Sequence, residues 1–189
     1  MVEEEKNLHR SFVAVDFPDE VIKEVARVQE VLGNLKFTGK MTELENIHVT
    51  LKFLGEIGLD KLKEVSRRLK EIKMTEFEAR LEKIGIFHFK RDPRIVWIKV
   101  GGKGIFELQK KVDDVLEEIR FKKEERFMSH MTIARVKYVK DKKGFGEYVK
   151  GIKLKDIRFK IDRFKLKTSG LRDIGPLYSD LKVYRLGQF

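Results

Sequence analysis

Apolar and polar positions along the chain fall into two alternating rhythms. Residues 10–17, RSFVAVDF, make an apolar run that stops at Pro18, as a buried strand does. Over 19–33, DEVIKEVARVQEVLG, apolar residues recur at 21, 22, 25, 28, 31 and 32, a helical stripe closed by Gly33. NIHVTLKFLG (46–55) reads as a strand, LDKLKEVSRRLKEI (59–72) as a helix and FEARLEKIGIFHF (77–89) as a strand again. After Pro93 the order returns, with a strand at 94–100, an amphipathic helix at 104–119 and a strand at 129–139. A short helix over about 146–151 and a strand at 157–166 complete the second series. GPLYSDLKVYRL (175–186) supplies a last strand, expected to return to the first half, and residues 1–9 precede the first strand as a tail.

The two series superimpose. Val13 lies 35 residues before His48, and Ile95 lies 35 residues before His130. The strands that follow begin at Phe77 and Ile157, 29 and 27 residues beyond those histidines. This is a duplicated β-α-β-α-β unit, too long and too few-copied for a solenoid. It predicts one α+β domain over 10–189, built as two pseudo-symmetric lobes from about 10–89 and 94–170.

Within NIHVTLKF (46–53), Ile47, Val49, Leu51 and Phe53 alternate as a core face, so His48, Thr50 and Lys52 share the other. His48-Val49-Thr50-Leu51 has a counterpart in His130-Met131-Thr132-Ile133, at the same place in the repeat. Four histidines and six threonines give roughly 0.1 His-x-Thr matches by chance, so two at equivalent positions mark a site.

Two imidazoles facing a groove can divide proton donation and acceptance, because histidine titrates near neutrality. Two threonine hydroxyls and a nearby cation can hold the non-bridging oxygens of a phosphodiester. Two histidines without an adjacent carboxylate or cysteine fall short of a usual metal set. No nucleophile elbow is present, and GGKGIF (101–106) fits neither dinucleotide nor Walker patterns.

Charge and composition narrow the partners. The net charge of +11 favours a polyanion, although a solvated lysine-rich surface accounts for it equally well. The absence of cysteine removes disulfides, thiolate sites and cysteine nucleophiles. No apolar run approaches the roughly 18–20 residues of a membrane span, and MVEEEKNLHR has no apolar leader segment. A cytoplasmic monomer is the default expectation.

RSFVAVDFP, ENIHVTLKFLGE (45–56) and HMTIARVK (130–137) together resemble the 2H phosphoesterases. The branch they are most similar to is the RNA 2',3'-cyclic phosphodiesterases, also called 2'-5' RNA ligases. The likeness runs from Arg10 to the GPLY segment. It implies two lobes, each an antiparallel sheet with helices on its outer face, enclosing a central groove. It also implies opening of a 2',3'-cyclic phosphate at an RNA end, tRNA halves being one class of such ends, to a 2'-phosphomonoester without cofactor. Some members join that end to a 5'-hydroxyl without ATP. Carried onto this chain, His48 is the proton donor to the departing 3'-oxygen and His130 the proton acceptor. Thr50 and Thr132 bind phosphate oxygens, and Arg135 adds a cation.

Lys52 is expected on the groove rim and Tyr178 along the groove, while Trp97 reads as a core aromatic. His9 is read as incidental and His88 as solvated. The basic clusters at 88–94 and 137–143 are candidates for tracking an RNA backbone. Two other readings stay open: a related enzyme acting on a small cyclic nucleotide, and a non-catalytic RNA-binding module.

Overall fold

Pro18 lacks the N–H that a central strand needs, so strand β1 (His9–Val15) ends before it and helix α1 (Asp19–Gly33) follows at once. Asp19 and Glu20 in the first turn meet the positive end of the helix. The computed structural model describes residues 8–172 and 175–187, so most of the expected tail, residues 1–7, lies outside the described residues. Strand β1 already includes His9.

The remaining elements are β2 (Thr38–Met41), β3 (Val49–Ile57), α2 (Leu59–Leu69), β4 (Phe77–Phe89), β5 (Asp92–Gly101), α3 (Lys103–Glu117), β6 (His130–Tyr138), α4 (Lys142–Gly151), β7 (Arg158–Ile161), β8 (Arg163–Arg172) and β9 (Gly175–Arg185). Helix α4 is longer than the periodicity implies, with the Asp141 carboxylate capping it through Gly144 N–H at 2.9 Å. The expected strand at 157–166 is broken at Asp162 into β7 and β8. Strand β2 has no apolar alternation to announce it in the sequence. Its Gly39 lies so close to β6 that a Cβ there would come within 2.2 Å of the Arg135 carbonyl oxygen.

All strand pairs are antiparallel, in the order β7-β4-β5-β6-β3-β1-β8-β9, with β2 on β6. The expectation that each half of the sequence builds its own lobe needs correction. Strand β4, from the first half, pairs with β5 of the second, and β8, from the second half, pairs with β1 of the first. Helices cross over as well: α1 packs against β6, and α3 packs against β3. Local periodicity defines strands but not their partners, so this exchange has no signature in the alternation. Strand β9 pairs with β8 and so joins the lobe of β1.

The hydrophobic core lies between the helices and one face of the sheet, where Leu32, Leu51, Leu116, Met131 and Ile133 are fully buried. Each such side chain contributes about 1.5–3 kcal/mol by leaving water. The opposite face is left to line a groove.

Candidate active site

Strands β3 and β6 meet at one residue pair, Val49 opposite Met131, and both of these side chains are buried in the core. Their neighbours along each strand therefore point to the other face. Because the strands are antiparallel, His48 comes beside Thr132 and Thr50 beside His130. The four polar side chains form a quartet around a pseudo-twofold axis, with the histidines on one diagonal.

Each imidazole is fixed in the same way. His48 Nδ1 lies 2.7 Å from the carbonyl oxygen of Asn46, and His130 Nδ1 lies 2.7 Å from that of Met128. A carbonyl only accepts, so both Nδ1 atoms carry hydrogen, and in the neutral ring Nε2 offers a lone pair. Thr50 Oγ1 lies 3.0 Å from His48 Nε2 and donates to it in that state. Burial pushes the His48 pKa below the usual histidine range; the Asn46 carbonyl works against this, and the charge of Lys167 adds to it.

Aromatic rings wall both histidines. Phe12 and Tyr178 stand 5.0 and 5.2 Å from the His48 ring, and Phe87 stands 5.0 Å from that of His130, nearly edge-on. Tyr178 thus lines the groove. Arg135 is exposed along the same groove, a cavity of about 1230 Å³ that Arg10, Phe53 and Arg126 also line. Beyond His48 lies a closed ion network in which Lys165 and Lys167 each bridge Asp16 and Asp180, at 2.5–2.9 Å. Beside His130, Lys99 pairs with Glu82 at 2.8 Å.

The Lys52 ammonium is not on the groove rim. In the β1–β3 ladder Val13 faces Lys52 and Ala14 faces Thr50, so Leu51 is an extra residue, a bulge. The bulge turns Leu51 and Lys52 both toward the helices and brings Phe53 out on the histidine face, 69% exposed. The Lys52 side chain is 6% exposed, ion-pairs with Asp113 of α3 at 2.6 Å and donates to the Lys122 carbonyl. Strict alternation puts Phe53 in the core and the Lys52 ammonium in the groove; Phe53 is instead exposed and the ammonium is turned to Asp113, although Lys52 still borders the groove.

Trp97 is buried as expected, but on the histidine face rather than in the helix-packed core. It stands opposite Thr132 in the ladder and over Gly85, where a Cβ would lie 2.3 Å from the indole ring. His88 is exposed near the end of β4. Sequence reasoning missed Phe12 and Phe87, whose apolar runs carry no mark of which face they take. It missed the carbonyls of Asn46 and Met128 too, although both lie two residues before a repeated histidine. Among the described residues no group of three or more His, Asp or Glu gathers as a metal site. No helix there is long and apolar enough to cross a membrane.

Comparison with known proteins places the chain in a family. An RNA 2',3'-cyclic phosphodiesterase of Methanocaldococcus jannaschii is 34% identical over 179 residues, covering 93% of this chain and 99% of that protein. One of Archaeoglobus fulgidus is 33% identical over 177 residues, covering 93% and 99%. The fold is shared with the crystal structure of TT0787 of Thermus thermophilus, at a TM-score of 0.80 and 24% identity over 95% of this chain and 100% of that one. It is also shared with E. coli LigT complexed with 3'-AMP, at 0.75 and 21% over 96% and 99%. The sequence profile of the LigT like phosphoesterases matches residues 15–97 and 99–178, a span that takes in both histidines and both threonines. The chain belongs to the LigT like phosphoesterase family.

Proposed function

We propose that the protein hydrolyses 2',3'-cyclic phosphate ends of RNA to 2'-phosphomonoesters, using His48 and His130 as an acid–base pair. The observation that carries this reading is the quartet itself: two imidazoles and two hydroxyls, alternating around one strand pair, on the floor of a groove with an arginine beside it. His130 Nε2 takes a proton from water as its oxygen attacks phosphorus. The bond from phosphorus to the 3'-oxygen breaks, and His48 Nε2–H protonates that oxygen. Thr50, Thr132 and Arg135 hold the non-bridging oxygens, whose charge grows in the transition state. With a 5'-hydroxyl in place of water, the same steps give a 2'-5' linkage without ATP. Ends such as those of tRNA halves have this chemistry, and the named activity of the relatives from Methanocaldococcus jannaschii and Archaeoglobus fulgidus supports RNA over a free cyclic nucleotide.

His48 must be protonated to act first as acid, and its lowered pKa works against that in the free protein. An anionic phosphate against the ring pulls the pKa back up. The same observation favours a second reading, in which the roles are exchanged and His48 starts as base. A substrate with sulfur at the 3' bridging position separates them, because a thiolate leaves without protonation. Under the first reading, the defect of His48→Ala is largely erased on that substrate and the defect of His130→Ala is not. Rescue of His130→Ala instead reverses the roles. Full oxygen-substrate turnover in either variant, assayed with chelator present, defeats the whole proposal.

A further inference from the structure

The two helices that cross between halves carry polar side chains at matching positions. Gln29 lies ten residues into α1, and Asp113 lies ten residues into α3. Gln29 Nε2 donates to the carbonyl of Thr42 at 2.7 Å, and Asp113 Oδ2 accepts from the N–H of Glu124 at 2.8 Å. Thr42 and Glu124 each stand six residues before a histidine. Four residues further on, in both segments, is the carbonyl that holds the imidazole: Asn46 for His48 and Met128 for His130.

Each helix residue also reaches the opposite strand. Gln29 Nε2 donates to the Ile133 carbonyl of β6 at 2.9 Å, beside the backbone bond from Thr42 N–H to the same oxygen. Asp113 Oδ1 pairs with Lys52 of β3, which in turn donates to the Lys122 carbonyl. The segment leading into one histidine is thereby fastened to the strand bearing the other, in both directions.

We infer that Gln29 and Asp113 are equivalent positioning residues, crossed brackets that fix the two histidines relative to each other. The inference rests on the reading that the imidazoles work as a pair. Neither bracket touches the groove quartet, so each acts through the carbonyl that orients a ring. In one half the bracket is a neutral amide and in the other an ionised pair, but it spans the same positions.

The test follows the Cε1–H resonances of the histidines by NMR alongside steady-state kinetics. Gln29→Met is expected to move the His48 resonance more than that of His130. Lys52→Met/Asp113→Leu, which removes the acceptor for Glu124, moves His130 more. Each lowers kcat by roughly 10- to 100-fold with KM little changed, as sub-ångström misplacement of a reacting group does. Lys52→Met/Asp113→Asn keeps an oxygen for Glu124 N–H and is expected to restore kcat to within about threefold of wild type. Unmoved imidazole resonances and wild-type kcat in Gln29→Met and Lys52→Met/Asp113→Leu, even with lowered melting temperatures, would overturn the brackets. The NMR result stands without any substrate, so an inactive wild-type protein would defeat the functional proposal and leave the brackets to be judged by the spectra.

Discussion

Replacing Lys52 with methionine removes one charge from a pair that is almost wholly enclosed. The side chains of Lys52 and Asp113 are 6% and 5% exposed, and their charged atoms lie 2.6 Å apart. After the change, the Asp113 carboxylate keeps the Gln109 amide at 2.6 Å and the Glu124 N–H at 2.8 Å, but has no counter-charge. The Lys122 carbonyl loses its donor at the same time. Stranding a buried ion in this way costs about 3–5 kcal/mol. For a chain of this length that is a fall of roughly 10 °C in melting temperature. A lysine on an exposed rim would instead cost about 0–1 kcal/mol.

The measurement is equilibrium denaturation in urea of the wild type, Lys52→Met, and Lys52→Met/Asp113→Leu. The double variant removes the orphaned charge together with its partner and is expected to recover most of the loss. A single variant within about 1 kcal/mol of wild type would refute the buried pair. So would a double variant as unstable as the single one.

Three further outcomes follow from the geometry. Folding lowers the His48 pKa below 6.5, so the native state binds fewer protons than the unfolded chain between the two values. The histidine therefore subtracts stability as the pH falls through and below 6.5, and His48→Gln is expected to narrow the stability difference between pH 8 and pH 5, read by denaturation at both. Phe53 is 69% exposed on the groove face, so Phe53→Ala is expected to change stability by no more than about 0.5 kcal/mol. If a base stacks on it, the same variant raises KM for an RNA end by roughly 5- to 100-fold; an unchanged KM removes Phe53 from the binding surface. Gly39→Ala puts a methyl group against the Arg135 carbonyl and is expected to cost about 1–3 kcal/mol, or to release β2 from β6, visible as amide exchange at Thr38–Met41.

The quartet was legible because a strand has a period of two and a duplication has a fixed offset. His48 and Thr50 share a face by that period alone, and 82 residues on, His130 and Thr132 share theirs. The same rule failed four residues along the strand. One bulged residue at Leu51 exchanged the faces of Lys52 and Phe53, and bulges leave no mark in the pattern of side chains. Trp97 failed for a related reason: an apolar run tells that a strand is buried, not which of its faces meets the helices. The helix at 19–33 and the strand at 77–89 agree with their elements residue for residue, since both are long and strongly periodic. Pairing was the least legible level. That β4 crosses to β5, and β8 to β1, depends on contacts between segments far apart in sequence, where neither propensity nor periodicity carries information.

Duplication gives two chemically identical histidines, whereas the acid–base pair we propose needs them in different states. Any such difference has to come from their neighbours, and the neighbours differ. His48 has its Nε2 engaged by Thr50 and is walled by two rings, Phe12 and Tyr178. Its surroundings include the charges of Asp16 and Lys167, members of a network that is locally neutral as a whole. His130 keeps the same Nδ1 bond but, among the described residues, has the single ring of Phe87 against it, and it stands opposite Lys99 in the ladder. In the observed register Asp16 follows the pair Val15–Val49, and Lys99 follows Ile98–Met131, so an acid in one half holds the place of a base in the other. The backbone preserves the symmetry that brings the imidazoles together. The side chains around it break that symmetry, and exchanging Asp16 and Lys99 is the substitution on which a directional reaction should depend most visibly.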